Sequence, residues 1–299
     1  MRLDSFDLNL LIAFEALLEE RSVTRAAQRL NVTQSAMSAS LKRLRESFQD
    51  ELLILHGKKM IPTQHALTLA PEVSATLMRL KTLIATGTGF DPATSKRRFQ
   101  INASDYITTV LLVPLIEDLQ VKAPGIRLIL SLPSSQSAKR LEAGEIDLLM
   151  TPDEFLEGDH PRELLFEESH VVVGAKGNPV FDEPMTIEKF LDCGHVAVRI
   201  SNQDTFVEAV LQKLVPDRRI EVAAQSFIQV PWLIRGTKRL AVMHERLAMV
   251  TQPIFDLRIV DTPYDLPPMR EMMQYHVSRS GDAGLAWLRK QIHRFAKAA

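Results

Sequence analysis

Apolar residues recur three and four positions apart over the first part of the chain, then give way to short apolar runs separated by helical patterns. Asp7 stands where an N-cap would, ahead of a first helix carrying Leu8, Leu11, Ile12, Phe14, Ala16, Leu17 and Leu18. Val23, Ala26, Ala27 and Leu30 repeat the helical spacing, and Asn31-Val32 breaks it. Thr33 is suited to cap a third helix, on which Ala36, Met37, Ser40, Leu41 and Leu44 can lie inward. Gln34, Ser35, Ser38, Lys42, Arg43 and Arg45 are then left on outer or flanking faces. Small Ala26, Ala27 and Ala36 let two helices cross closely, as a helix-turn-helix requires. Leu52–Thr63 predicts two short strands around His56-Gly57-Lys58-Lys59. A long helix follows over Thr63–Thr86, with Ala66, Leu69, Val73, Leu77, Leu80 and Ile84 near heptad spacing. That stripe fits a dimer seam or packing on its own domain. Pro71 inside it marks a kink or a later helix start. Gly87-Thr88-Gly89, with Pro92, Thr94 and Ser95, predicts a hinge and a domain boundary.

Beyond the hinge, strand-like runs are expected at Phe99–Ala103, Ile126–Leu132, Ile146–Met150, Glu163–Glu167, Val171–Ala175, His195–Ile200, Ile220–Ala224, Leu240–Met243, Leu257–Val260 and Glu271–Val277. Helical patterns fall between many of them, at Tyr106–Val121, Ser137–Ala143, Ile187–Leu191, Phe206–Val215, Phe227–Ile234 and Ala283–Phe295. Alternating strands and helices predict an α/β domain with largely parallel sheets, and the length suits two such halves.

Charge sharpens the first part of this picture. The 299 residues carry a net charge of −1, which argues against a general nucleic-acid coat and leaves room for one basic face. Ser22–Arg45 contains no acidic residue and holds Arg25, Arg29, Lys42, Arg43 and Arg45. It suits a phosphate backbone, while Gln34, Ser35 and Ser38 are short polar groups able to reach base edges. Lys58 and Lys59 at a glycine turn suit a wing beside the minor groove. A basic helical hairpin in an ordinary bundle is the competing reading.

In open α/β sheets ligands bind beyond the carboxyl ends of strands, against helix N-termini. Four such junctions are expected: Ser104-Asp105-Tyr106, Pro133-Ser134-Ser135, Ser201-Asn202-Gln203-Asp204 and Gln225-Ser226-Phe227. Tyr106, Phe206 and Phe227 add aromatic surface, so a small planar ligand fits a cleft lined this way. Asp105 and Asp204 disfavour a dianion against a neutral or weakly acidic phenol. The same polar residues are also ordinary helix caps. His170 is a candidate donor at the cleft or a structural histidine, whereas His195 reads as structural. His160, His244, His276 and His293 show no metal-ligand spacing with Cys193 or with one another, so no metal is expected. Cys193, the single cysteine, excludes an internal disulfide and reads as inert in a cytosolic setting. No signal peptide and no membrane-length apolar run is visible. Enzyme motifs are missing as well: no Gly-x-Ser-x-Gly elbow, phosphate-cradling glycine loop, paired-His helix or dinucleotide fingerprint occurs, and no cofactor is expected.

The run AAQRLNVTQSAMSASLKRLRESFQDELL resembles the N-terminal domain of LysR-type transcriptional regulators, in the branch of nodulation and aromatic-degradation regulators. The resemblance rests on Ala26-Ala27, Leu30, Thr33-Gln34-Ser35-Ala36, Ser38, Leu41–Arg45 and Asp50. It continues through Gly144–Asp147, Gly194-His195-Val196 and Trp287-Leu288-Arg289. Leu53, Leu55 and His65-Ala66 depart from the family pattern around the wing. The resemblance implies a winged helix-turn-helix domain over 1–64 and a dimerising linker helix and hinge over 65–95. It further implies an effector-binding domain over 96–299, built of two Rossmann-like α/β subdomains of periplasmic-binding-protein type. The first would span about 96–166 and 268–299, the second about 167–267. The implied partners are double-stranded promoter DNA, a small and aromatic effector, further copies of the chain up to a homotetramer, and RNA polymerase, as for an activator in the cytoplasm. A regulator without ligand response and a solute-binding module are the alternatives.

Overall fold

A computed structural model describes residues 6–56, 59–86, 90–200 and 203–297. The chain divides into two compact units: residues 1–89 with 142–145 and 278–282, and the remainder.

The first unit contains α1 (Asn9–Glu20), α2 (Val23–Arg29), α3 (Gln34–Phe48), β1 (Leu53–His56), β2 (Lys59–Pro62) and α4 (Gln64–Thr86). Its core joins Leu10, Phe14 and Leu17 of α1, Ala26 and Ala27 of α2, and Met37, Leu41 and Leu44 of α3. Ser22 and Thr33 cap α2 and α3, their hydroxyls accepting from the amides of Arg25 and Ala36. Asp7 works one place earlier than expected: Leu8 occupies the cap position, and Asp7 accepts from the Asn9 amide at 3.0 Å. Ala36 is exposed rather than inward. It lies about 100° around the helix from Met37, whose stripe continues through Leu41 and Leu44. The strands pair antiparallel from Leu53 opposite Pro62 to His56 opposite Lys59. Asp50 ties the base of this ribbon, accepting from the Leu52 amide at 2.7 Å and from the Thr63 hydroxyl at 2.6 Å. Thr63 in turn caps α4 through the Ala66 amide. The helix starts at Gln64 and runs through Pro71, which therefore marks no later start. Ala66, Val73 and Leu77 are buried in the core of their own unit and Leu69 packs against it, so this part of the stripe serves its own domain. The Ile84 side chain and the Gly87-Thr88-Gly89 hinge lie outside the described residues.

In the second unit β3 (Arg98–Asn102), β4 (Arg127–Ser131), β5 (Leu148–Pro152), β6 (Arg162–Glu168) and β13 (Met269–Gln274) form one sheet in the order β4-β3-β5-β13-β6. A second sheet runs β10-β8-β11-β7-β12, from β7 (His170–Ala175), β8 (His195–Ile200), β10 (Ile220–Ala224), β11 (Leu240–His244) and β12 (Leu257–Asp261). The short β9 (Gln203–Asp204) pairs with β8. The sheets are less uniformly parallel than expected. β13 runs antiparallel to both its neighbours, and so does β7. Each is the strand by which the chain enters a sheet after crossing from the other. The helices are α5 (Asp105–Ile107), a π-helical turn (Thr108–Leu112), α6 (Val113–Lys122), α7 (Ser137–Glu142), α8 (Ile187–Asp192), α9 (Phe206–Leu214), α10 (Val230–Ile234), α11 (Glu245–Phe255) and α12 (Ala283–Ala296). A continuous core binds both sheets, with Ile101, Leu148 and Met273 from one, Val173, Val196 and Met243 from the other, and Leu111, Leu115, Leu288 and Ile292 from helices. Among the described residues no helix is long and apolar enough to cross a membrane.

Candidate functional site

Two surfaces carry the chemistry expected of this chain. On α3 the side chains of Gln34, Ser35, Ser38, Lys42 and Arg43 are exposed along one helix, as the pattern requires. Thr33 keeps its hydroxyl on the Ala36 amide and 3.0 Å from the Ser35 hydroxyl, so it positions the helix start. Arg43 reaches across to Asp7, nitrogen to oxygen 3.1 Å. The Asn9 amide and then Arg43 hold the Asp7 carboxyl below its usual range. Lys42 is exposed and 4.0 Å from Glu46, one turn on. Arg25 and Arg29 are less free than the acid-free stretch implies. Arg25 turns back to Glu20, and Arg29 pairs with Glu19 and Glu20 of α1. Arg45 is structural, donating to the Glu51 and Leu53 carbonyls. Lys58 and the Lys59 side chain lie outside the described residues.

In the second unit a cavity of about 490 Å³ opens between the carboxyl ends of the two sheets. Of the expected contacts it gathers Ser104, Tyr106, Ser134, Ser135, Asp204, Phe206 and Phe227. Asp105 is turned to another task. Its carboxylate accepts from the Ser226 hydroxyl and from the amides of Phe227 and Ile228, tying the first sheet's half to the second's. His170 lies behind the wall, 5.9 Å from the Phe206 ring and 5.0 Å from that of His244. Burial lowers its pKa to about 4. Asn202 lies outside the described residues. Ser104 also caps α5 through the Ile107 amide, and Asp204 pairs with Arg199 at 2.9 Å.

Gln203, from the expected Ser201–Asp204 junction, is in the wall too, and several wall residues have no counterpart in the sequence reading, among them Thr151, Phe155, His244 and Glu271. His244 ends β11 and stacks on Tyr106, centroids 3.8 Å apart. Burial, and then His170, hold it well below its usual pKa. The Tyr106 hydroxyl donates to Glu168 at 2.5 Å, and burial together with that carboxylate raises its pKa. Glu168, fully buried, also accepts from the Arg246 amide and guanidinium, the latter at 2.6 Å. No lysine or arginine stands among the described residues of the cavity wall.

The other candidates fall away from this cleft. His195 is fully buried, its Nε2 2.7 Å from the Phe190 carbonyl, and burial brings its pKa to about 4. Cys193 is half-buried, and burial pushes its thiol up, so little nucleophilic thiolate forms. The His160 and His276 rings come within 4.4 Å, a meeting that their separation along the chain does not reveal. His293 bonds to Glu163 at 2.7 Å.

Residues 8–67 match the family described as bacterial regulatory helix-turn-helix protein, lysR family, and residues 92–297 match the LysR substrate binding domain. The chain belongs to the LysR family. This LysR-type regulator is 38% identical to nodulation protein D 2 of Rhizobium tropici over 294 residues, covering 98% of this chain and 93% of that one. It is similar to a solved transcriptional regulator of Pseudomonas aeruginosa at 32% identity and a TM-score of 0.66, covering 97% of both chains. Full-length OxyR of Pseudomonas aeruginosa shares the fold, with a TM-score of 0.76 at 15% identity over 98% of this chain and 95% of that one. The LysR-type chain is thus a DNA-binding transcriptional regulator with an effector-binding domain, not an enzyme.

Proposed function

We propose that this LysR-type regulator reads operator DNA with α3 and is controlled by a small, uncharged aromatic effector held in the cleft between its two sheets. One observation carries the effector class. Among the described residues the cavity wall offers Tyr106, Phe155, Phe206, Phe227 and His244 as ring surface and no lysine or arginine to balance an anionic ligand. Its size is that of a pocket for a small organic molecule. On α3, Gln34, Ser35 and Ser38 address base edges, while Lys42 and Arg43 hold phosphates together with Arg25 and the wing lysines Lys58 and Lys59. Effector binding shifts the angle between the two halves, and that shift alters spacing between DNA-binding units and hence DNA bending. The coupling is reciprocal, roughly 1–3 kcal/mol. We place the protein in the cytoplasm, as a dimer or tetramer that engages RNA polymerase.

The test is a thermal-shift screen of phenols, flavonoid-like compounds, benzoates and chlorinated aromatics, paired with operator footprinting. Neutral aromatics raise the melting temperature and change the footprint; benzoates do neither. Stabilisation by benzoates alone rejects the effector class, and silence from every compound points to a constitutive regulator. Ser35→Ala and Arg43→Ala lose operator binding; footprints like the parent's would overturn the recognition surface.

A further inference from the structure

Two buried polar atoms in the cavity wall have no hydrogen-bond partner among the described residues: Glu271 Oε1 and His244 Nδ1. Glu271 lies on β13, opposite Pro152 of β5 and Phe166 of β6, and is 1% exposed. His244 ends β11 on the other sheet and is 4% exposed. Buried polar atoms are nearly always paired, so two unpaired ones on residues that line a single cavity mark a ligand's place.

The surroundings decide the form of Glu271. Glu168 is already bonded to Tyr106 and Arg246, so its charge is balanced and that arginine is committed. The charges felt by Glu271 are those of Glu168 and Glu154, both acids. A second carboxylate without a counterion would be costly to bury.

We propose that Glu271 determines which ligands the cleft accepts: its carboxyl donates a hydrogen bond to an acceptor oxygen of an uncharged effector, and His244 Nδ1 meets a hydroxyl of the same molecule. The proposal rests on the effector cleft described above and adds its polar specificity. Burial, and then the Glu168 charge, push the Glu271 carboxyl well above the ordinary carboxylate range, the direction that favours the protonated, donating form. An aromatic lacking an acceptor oxygen leaves this donor unsatisfied and is discriminated against. Anions meet Glu154 and Glu157, with no lysine or arginine among the described residues of the wall.

The experiment uses the full chain and has two arms. The first, without ligand, is an infrared difference spectrum between wild type and Glu271→Gln at pH 7. The carbonyl band of a protonated carboxylic acid, shifted in D₂O, is present in wild type and lost in the variant; its absence overturns the proposal. The second is isothermal titration with 4-hydroxybenzophenone and 4-benzylphenol, which differ only in a bridging carbonyl. Wild type and Glu271→Gln, which keeps a donor, prefer the ketone by about tenfold or more, and Glu271→Leu loses the preference. A preference that survives in Glu271→Leu, or its absence from wild type that binds both phenols, overturns the proposal. Failure of either phenol to bind wild type, with the infrared band present, overturns the aromatic reading of the cleft instead and leaves the donor standing. The infrared arm decides the protonation even if Glu271→Leu fails to fold.

Discussion

Tyr106 and His244 lie face to face, ring centroids 3.8 Å apart and planes 4° from parallel. One follows β3 in the first sheet and the other ends β11 in the second, so the stack joins the two halves at the cleft. An imidazolium there would be cut off from water, and burial holds His244 well below its usual pKa.

A pH dependence of stability follows. His170, beside His244, has its pKa brought down from 6.5 to about 4 by burial, and neither ring nitrogen has a partner among the described residues. Its folded pKa is depressed, so the unfolded chain binds the extra proton between about pH 6.5 and 4. The stabilisation is complete above the unfolded value and drains away as pH falls through that window. The loss from His170 is roughly 3 kcal/mol. Glu271 acts in the opposite sense, because its folded pKa is raised. The clean readout is therefore a difference: urea midpoints of wild type and His170→Phe from pH 7 to pH 4.5. The variant is expected to fall less steeply and to be at least as stable at pH 7, since two unsatisfied nitrogens are removed.

Asp7 holds Arg43 in an exposed pair at 3.1 Å. Such a pair contributes little to folding, but it withholds a cation from phosphate. Asp7→Asn should leave the unfolding midpoint unchanged and tighten binding to operator and bulk DNA alike. The slope of log affinity against log salt steepens by about one, measured by fluorescence anisotropy. Unchanged salt dependence would show that Arg43 does not reach phosphate.

The elements of the first unit were legible because apolar spacing and capping act locally. Thr33 caps α3 as its hydroxyl and position require, and Met37, Leu41 and Leu44 are buried at helical spacing. What the local pattern does not show depends on partners that tertiary folding brings in. Glu19 and Glu20 precede Arg25 and Arg29 by only five to ten residues, but across the corner between α1 and α2, where helical spacing does not pair them. The sequence pattern does not reveal α11, because its apolar residues do not form one stripe: Met249, Val250 and Ile254 are exposed, and Pro253 falls inside it. Without that helix in the pattern, the carboxyl end of β11 carries no sign of a strand-to-helix junction, and His244 carries no sign of a place in the wall. Glu271 had no local signal at all. A glutamate among methionines on a strand becomes a wall residue only when β13 is laid between β5 and β6.

Glu208 and Arg218 form a buried pair, each side chain 5% exposed. Burial raises the Glu208 carboxyl, with Arg218 pulling against it. Removing one partner strands the other, so Glu208→Leu should cost about 3–5 kcal/mol in urea unfolding. Adding Arg218→Met should restore most of the loss, because two apolar groups of similar volume replace the desolvated charges. A double variant no better than the single would show that Arg218 is held by other partners.

Asp105 accepts from the Ser226 hydroxyl and the amides of Phe227 and Ile228 although 121 residues separate it from Ser226. It therefore caps, from one half of the cleft, the turn that carries Phe227 into the other. Phe227 packs edge-on against both Tyr106 and His244, at 6.2 and 4.7 Å. Asp105→Ala removes an acceptor from two amides and loosens the turn presenting a ring to the effector. Backbone exchange at Phe227 and Ile228 should accelerate by about tenfold or more, and effector affinity should fall by a similar factor. DNA affinity without effector should stay as in wild type, because the recognition helix is untouched. Asp105→Asn keeps one oxygen acceptor and should fall between the two. Exchange at the wild-type rate in Asp105→Ala would mean that the turn is held by packing of Phe227 alone and that the carboxylate bridge does not govern the cleft.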